Sequence, residues 1–147
     1  MGTKVIAIGN ILMCDDGVAV RVCENIKDSL AKNNIEVIIG ETDFEYCLSN
    51  IEDGDFIFII DAINSGKEVG EITIFPLKSK LYPGLSQHGC SLVDLVLLYN
   101  NSINGFVIGI EVKEIKFDFN LSDEINKKLG EIEKQVEKII TKKVFLK

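Results

Sequence analysis

Three short segments, Val5–Ile8, Ile35–Ile39 and Phe56–Ile60, are β-branched or aromatic runs that present apolar side chains toward both faces of a strand. A strand keeps that pattern when helices cover the sheet on each side, as in parallel strands joined by helical crossovers. The intervening stretches supply such helices. Ala19, Val22, Cys23, Ile26 and Leu30 recur at helical steps and form one stripe, ended by Asn33 and Asn34. Phe44, Cys47, Leu48 and Ile51 suggest a shorter helix, closed by the turn Asp53-Gly54-Asp55. The order β-α-β-α-β implies right-handed crossovers and an α/β sandwich in which these three runs are central parallel strands.

The rest of the chain extends that plan. Glu71–Phe75 reads as a short edge strand stopped by Pro76, and Gly105–Ile110 as a further strand. Ser91 and Asp94 resemble a capping box ahead of Leu92, Leu95, Val96 and Tyr99. Ser122 caps a final helix whose buried stripe is Leu121, Ile125, Leu129, Ile132, Val136, Ile139 and Ile140, with Asp123 and Glu124 in its first turn. Its many charges read as a solvated face, supported by pairs such as Glu124 with Lys128. With 147 residues and no linker or repeat, one domain over residues 1–147 is expected.

Composition narrows the function classes. A net charge of −7 gives no electrostatic help toward nucleic acid or anionic lipid, so neither is expected as a partner. The longest apolar runs, such as Phe56–Ile60, are far too short to span a bilayer. Cys14, Cys23, Cys47 and Cys90 are scattered, without a C-x-x-C pair, and read as reduced thiols of a cytoplasmic protein.

In an open α/β sheet the loops at the carboxyl ends of the strands gather in one crevice. Three loops therefore stand out: Gly9–Gly17 after the first strand, the loop opened by Asp61 directly after the third, and Ser86–Cys90 before a helix cap. Each has an ordinary structural reading. Asp15 or Asp16 could cap the first helix, Asp61 could satisfy a neighbouring loop, and His88 could be plain surface. The first loop lacks the glycines and the G-K-[ST] ending of a phosphate cradle. Together, a carboxylate of the first loop (Asp15 or Asp16), Asp61 and His88 form an O/O/N donor set that suits a divalent borderline ion such as zinc or nickel and leaves coordination positions open. Cys14 and Cys90 flank the same loops as candidate soft ligands or a nucleophile, although such cysteines are usually small buried hydrophobes.

Gly9-Asn10-(x4)-Asp15-Asp16-Gly17, Asp61 with the later Gly70-Glu71-Ile72, His88-Gly89 before a leucine-rich helix, and the strand end Gly109-Ile110-Glu111 occur in the order seen in hydrogenase maturation proteases. The chain resembles that family from Val5 through Ile140. The resemblance implies a five-stranded, mostly parallel twisted sheet between helices. It also implies an endopeptidase that removes a C-terminal extension from the large-subunit precursor of a nickel-iron hydrogenase once nickel is inserted. The family's metal-contacting trio maps onto Asp16, Asp61 and His88, which would engage nickel carried by the substrate. Asn10, Asp15, Glu41 and Gly89 are the expected substrate contacts around it.

The chain departs from the family pattern in three places. Ala7-Ile8-Gly9-Asn10 lacks one glycine of a common G-x-G-N, Gly40-Glu41-Thr42-Asp43 stands where many relatives have an aspartate followed by glycine-threonine, and Val112 replaces a common proline. Hydrolysis assisted by the ion as Lewis acid or by a carboxylate acting on water are both open. Two other functions compete with a protease: a nickel-sensing assembly chaperone that does not cut, and a nucleotide-using α/β enzyme.

Overall fold

The computed structural model describes residues 2–79, 91–99 and 102–146. The described elements are β1 (Thr3–Ile8), a 3-10 turn (Cys14–Gly17), α1 (Val18–Ala31), β2 (Ile35–Glu41), α2 (Phe44–Ser49) and β3 (Phe56–Ile63). They continue with β4 (Ile72–Pro76), α3 (Leu92–Tyr99), β5 (Asn104–Glu111) and α4 (Asp123–Leu146). The strands form a five-stranded sheet in the order β2-β1-β3-β5-β4, parallel except for the antiparallel edge strand β4.

Strand periodicity divides the core into two layers. Val5 and Ala7 of β1, Phe58 and Ile60 of β3, and Ile108 and Ile110 of β5 meet the stripes of α1 and α4, including Val22, Ile26, Leu30, Ile132, Val136 and Ile140. The alternate residues Ile6, Ile57, Ile59 and Val107 meet α2 and α3 through Cys47, Leu92 and Val96. Helices thus cover both faces, which explains strands that are apolar on each side. The capping box at α3 is reciprocal: the Asp94 amide donates to Ser91 Oγ at 3.1 Å and the Ser91 amide to Asp94 Oδ2 at 3.2 Å. Ser122 Oγ likewise accepts the Ile125 amide at 3.3 Å at the start of α4. On α4, Lys128 donates to the Val69 carbonyl at 2.8 Å, so it ties the helix to the turn before β4.

Two placements differ from the sequence reading. β2 is an edge strand, not a central one, and its Glu36 is exposed, a position only an edge tolerates cheaply. β3 runs on through Ile63, so Asp61 lies inside the strand rather than in the loop after it. Ala62 and Ile63 continue the pairing with β5, opposite Ile110 and Glu111, past the point where β1 stops.

The chain order creates a crevice. From β1 the chain crosses to β2 on one side and then returns to β3 on the other, so the connections diverge between β1 and β3. Among the described residues no crossover element spans the carboxyl ends of that pair, which is where ligands of open α/β sheets bind.

Candidate active site

Asp16 and Asp61 come together at this divergence point. Asp61 pairs along β3 with Gly109 of β5 and shares the strand face of Ile57 and Ile59, toward α2 and α3. On its β1 side the ladder has ended at Ile60, and the chain of β1 turns away into Gly9 and the 3-10 turn. The side chain is only 6% exposed. Burial first, and then the charge of Asp16, push its carboxyl well above the usual carboxylate range, against a hydrogen bond from the Ala62 backbone that lowers it. Asp16 is also raised by burial, opposed by the hydrogen bond that its Oδ2 accepts from the Asn10 amide at 2.8 Å.

The first loop is shaped to hold Asp16 there. Gly9 has φ +137°, and a Cβ on it would lie 2.1 Å from the Asp16 carbonyl oxygen, so only glycine allows the turn to fold this closely. The Gly9 amide donates to the Glu41 carbonyl at 2.9 Å, which fastens the loop to the end of β2. There β2 bulges: Ala7 pairs with Ile39 but Ile8 pairs with Glu41, and Glu41 adopts φ +52°. Glu41 thus stands at the same rim, half-buried, with its backbone part of the loop's foundation. Asn10 spends its side chain on the loop as well, since Oδ1 accepts the Leu12 amide at 2.9 Å.

Asp15 is fully buried and plays a different part from the substrate contact expected of it. Its Oδ1 accepts the Ser122 amide and its Oδ2 accepts Ser122 Oγ, both at 2.8 Å. The side chain therefore joins the first loop to the cap of α4. Neither aspartate caps α1, whose first turn follows Gly17 with no side-chain cap bond. Cys14, Cys23 and Cys47 are buried free thiols, and burial raises all three, Cys47 to about 11, so none is the thiolate that a nucleophile requires. His88, Gly89 and Cys90 lie outside the described residues.

Sequence reasoning named Glu111 only within the strand-end motif and gave it no role; it is 1% exposed and accepts the Ser65 amide at 2.8 Å and Ser65 Oγ at 2.6 Å. It pins the segment that leaves β3 just beyond Asp61. Its signal was the same as that of Asp61, an acid at the end of a long apolar run. Among the described residues no three His, Cys, Asp or Glu side chains form a metal-holding group. What the described rim provides is a pair of acids, desolvated and mutually repelling, whose charge a cation or a proton would relieve.

An α/β sheet with paired acids at its divergence point defines a class of rim-site domains, and the sequence places the chain within it. Residues 20–141 match the hydrogenase maturation protease family, and the chain belongs to that family. The protein is similar to the [NiFe] hydrogenase maturation protease HybD from Thermococcus kodakarensis, at 29% identity and a TM-score of 0.70 over 95% of this chain and 99% of that one. The hydrogenase maturating endopeptidase HybD from E. coli shares the fold, with a TM-score of 0.76 at 20% identity over 97% of this chain and 94% of that one. The hydrogenase expression/formation protein HupD of Bradyrhizobium diazoefficiens is 34% identical over 71 residues, 48% of this chain. The matched stretch spans 37% of HupD's own length. Among the described residues no helix is long and apolar enough to cross a membrane.

Proposed function

We propose that the protein is a cytoplasmic endopeptidase that removes the C-terminal extension of a nickel-iron hydrogenase large-subunit precursor after nickel insertion. The observation that carries this reading is that Asp16 of the first loop and the buried Asp61 of β3 are brought together at the carboxyl ends of the parallel strands, in a chain of the maturation protease family. Keeping such a pair costs stability, and the cost is explained when a cation arrives as part of the substrate.

In this reading the nickel belongs to the precursor. Asp16, Asp61 and His88 engage it and thereby fix the scissile peptide against the rim. Two carboxylates and one imidazole bind a free ion weakly, as suits a site that must sense a metal already held by its partner. Positioning alone supplies several kcal/mol toward hydrolysis. Water then attacks the peptide, with the ion as Lewis acid or one carboxylate as base. The Asn10 and Gly9 backbone keeps Asp16 at its post, and Glu41, at the same rim, borders the path of the extension.

The test is incubation of purified nickel-loaded precursor with the protein, read by mass spectrometry of the large subunit. The wild type shortens it, whereas nickel-free precursor stays intact. Asp16→Asn, Asp61→Asn and His88→Ala each lose about a hundredfold or more in rate while keeping their circular dichroism spectra. Normal processing by all three variants refutes the site. Precursor that binds but is never cut by the wild type would instead define an assembly chaperone.

A further inference from the structure

Next to the acid pair the protein exposes an apolar patch that the reaction as described does not use. Phe117 and Phe119 are 75% and 66% exposed and touch each other edge to face, with ring centroids 6.0 Å apart. Ile115 is exposed in the same segment, and Ile11 and Leu12 in the loop that leads to Asp16. Single exposed apolar residues need no explanation, but a contiguous cluster with a polar border marks an interaction site. That border is present: Lys116 pairs with Glu114 at 3.3 Å, and Asp118 Oδ1 accepts the Asn120 amide at 2.9 Å.

The patch is fastened to the site by backbone. Asp118 donates its amide to the Leu12 carbonyl at 2.9 Å and accepts the Cys14 amide at 2.8 Å, while the Asp15 amide donates to the Glu114 carbonyl at 3.2 Å. Met13 and Asp118 form a parallel bridge. These bonds fix the backbone that carries the two rings to the loop that carries Asp16, so little backbone ordering is required when a partner covers them. We propose that Phe117 and Phe119 are the docking anchor for the precursor protein, receiving an apolar surface of the large subunit beside its extension. The proposal rests on the processing function above. A protein whose scissile bond reaches Asp16 must cover the loop that carries Ile11 and Leu12, and the segment that carries the rings is hydrogen-bonded to that loop on both sides of Met13. A second copy of this chain seated there would cover the same loop and compete with substrate.

The experiment measures processing of nickel-loaded precursor by wild type and by Phe117→Ser/Phe119→Ser, with sedimentation velocity on both. The double variant is expected to raise KM about tenfold or more and to leave kcat within about twofold. Phe117→Leu/Phe119→Leu, which keeps the patch apolar, restores most of the affinity. The single variant Phe119→Lys, at an exposed position, gives the same KM effect should the double variant fold poorly. An unchanged KM in these variants while the wild type cleaves overturns the anchor alone and leaves the endopeptidase reading standing. A wild-type dimer that the double variant abolishes, again at unchanged KM, also overturns it in favour of self-association. A wild type that neither binds nor cuts the precursor overturns both.

Discussion

The two ends of β3 each carry a buried aspartate, and they are opposites. Asp55, just before the strand, is 1% exposed, and Asp61, near its other end, is 6% exposed. Burial by itself would raise the Asp55 carboxyl. Lys4 at 2.8 Å, together with the amides of Glu52 and Gly2, each also at 2.8 Å, reverses the effect and holds it below the usual range. At Asp61 burial is joined by the like charge of Asp16, and the carboxyl rises. The same residue type at the two ends of one strand is thus held below its usual range by a lysine and two amides at the amino end, and raised by burial and a like charge near the carboxyl end. Where a fold tolerates a cost that it avoids elsewhere with the same materials, the cost is a mark of function.

The comparison can be broken experimentally, most forcefully at the compensated end. Asp55→Ala leaves Lys4 buried without its carboxylate and should destabilise the protein by about 3 kcal/mol or more in urea titration, yet leave precursor processing intact at low temperature. Equal losses of processing and stability would erase the distinction between the two ends. Gly9→Ala forces a Cβ against the Asp16 carbonyl at an unfavourable φ and should cost about 2 kcal/mol. It should also slow processing more than its stability loss explains, because the loop that holds Asp16 must open. Retained activity in a folded Gly9→Ala protein would detach the loop geometry from the site.

The smallest effect has the opposite sign. A carboxyl raised on folding costs stability above its folded pKa, and the cost fades as pH falls from there toward the ordinary aspartate range. The stability of Asp61→Asn relative to the wild type should therefore shift in the variant's favour as pH rises from the ordinary aspartate range toward neutrality, and the shift should disappear in acid. The depressed Asp55 works the other way: its contribution is present above the ordinary aspartate pKa and is lost as pH falls through its lowered folded value. Thermal melts of both variants across pH separate the two slopes. A difference between Asp61→Asn and the wild type that stays flat across pH would show that the Asp61 carboxyl is not raised on folding.

Much of this arrangement was legible before any coordinates. The stripes Ala19 to Leu30 and Ile125 to Ile140 are buried or packed on the core as read, because helical periodicity survives wherever one face is covered. The edge strand before Pro76 and the capping box at Ser91 also match the reading, since both rest on interactions only a few residues apart. The placement of β2 at the sheet edge was not legible, because Ile35–Ile39 has helices over both faces whether it is central or peripheral. Asp15 and Asp16 were indistinguishable as neighbours in a loop. Their different fates depend on Ser122, more than a hundred residues away.

The sequence by itself determined the α/β alternation, the two-sided core and the presence of acids near the carboxyl ends of its strands, because each is a matter of local spacing and side-chain chemistry. Only the tertiary structure decided which acid is anchored and which is left at the crevice. That outcome depends on whether a distant lysine, hydroxyl or amide reaches the carboxylate, and spacing along the chain carries no record of such partners.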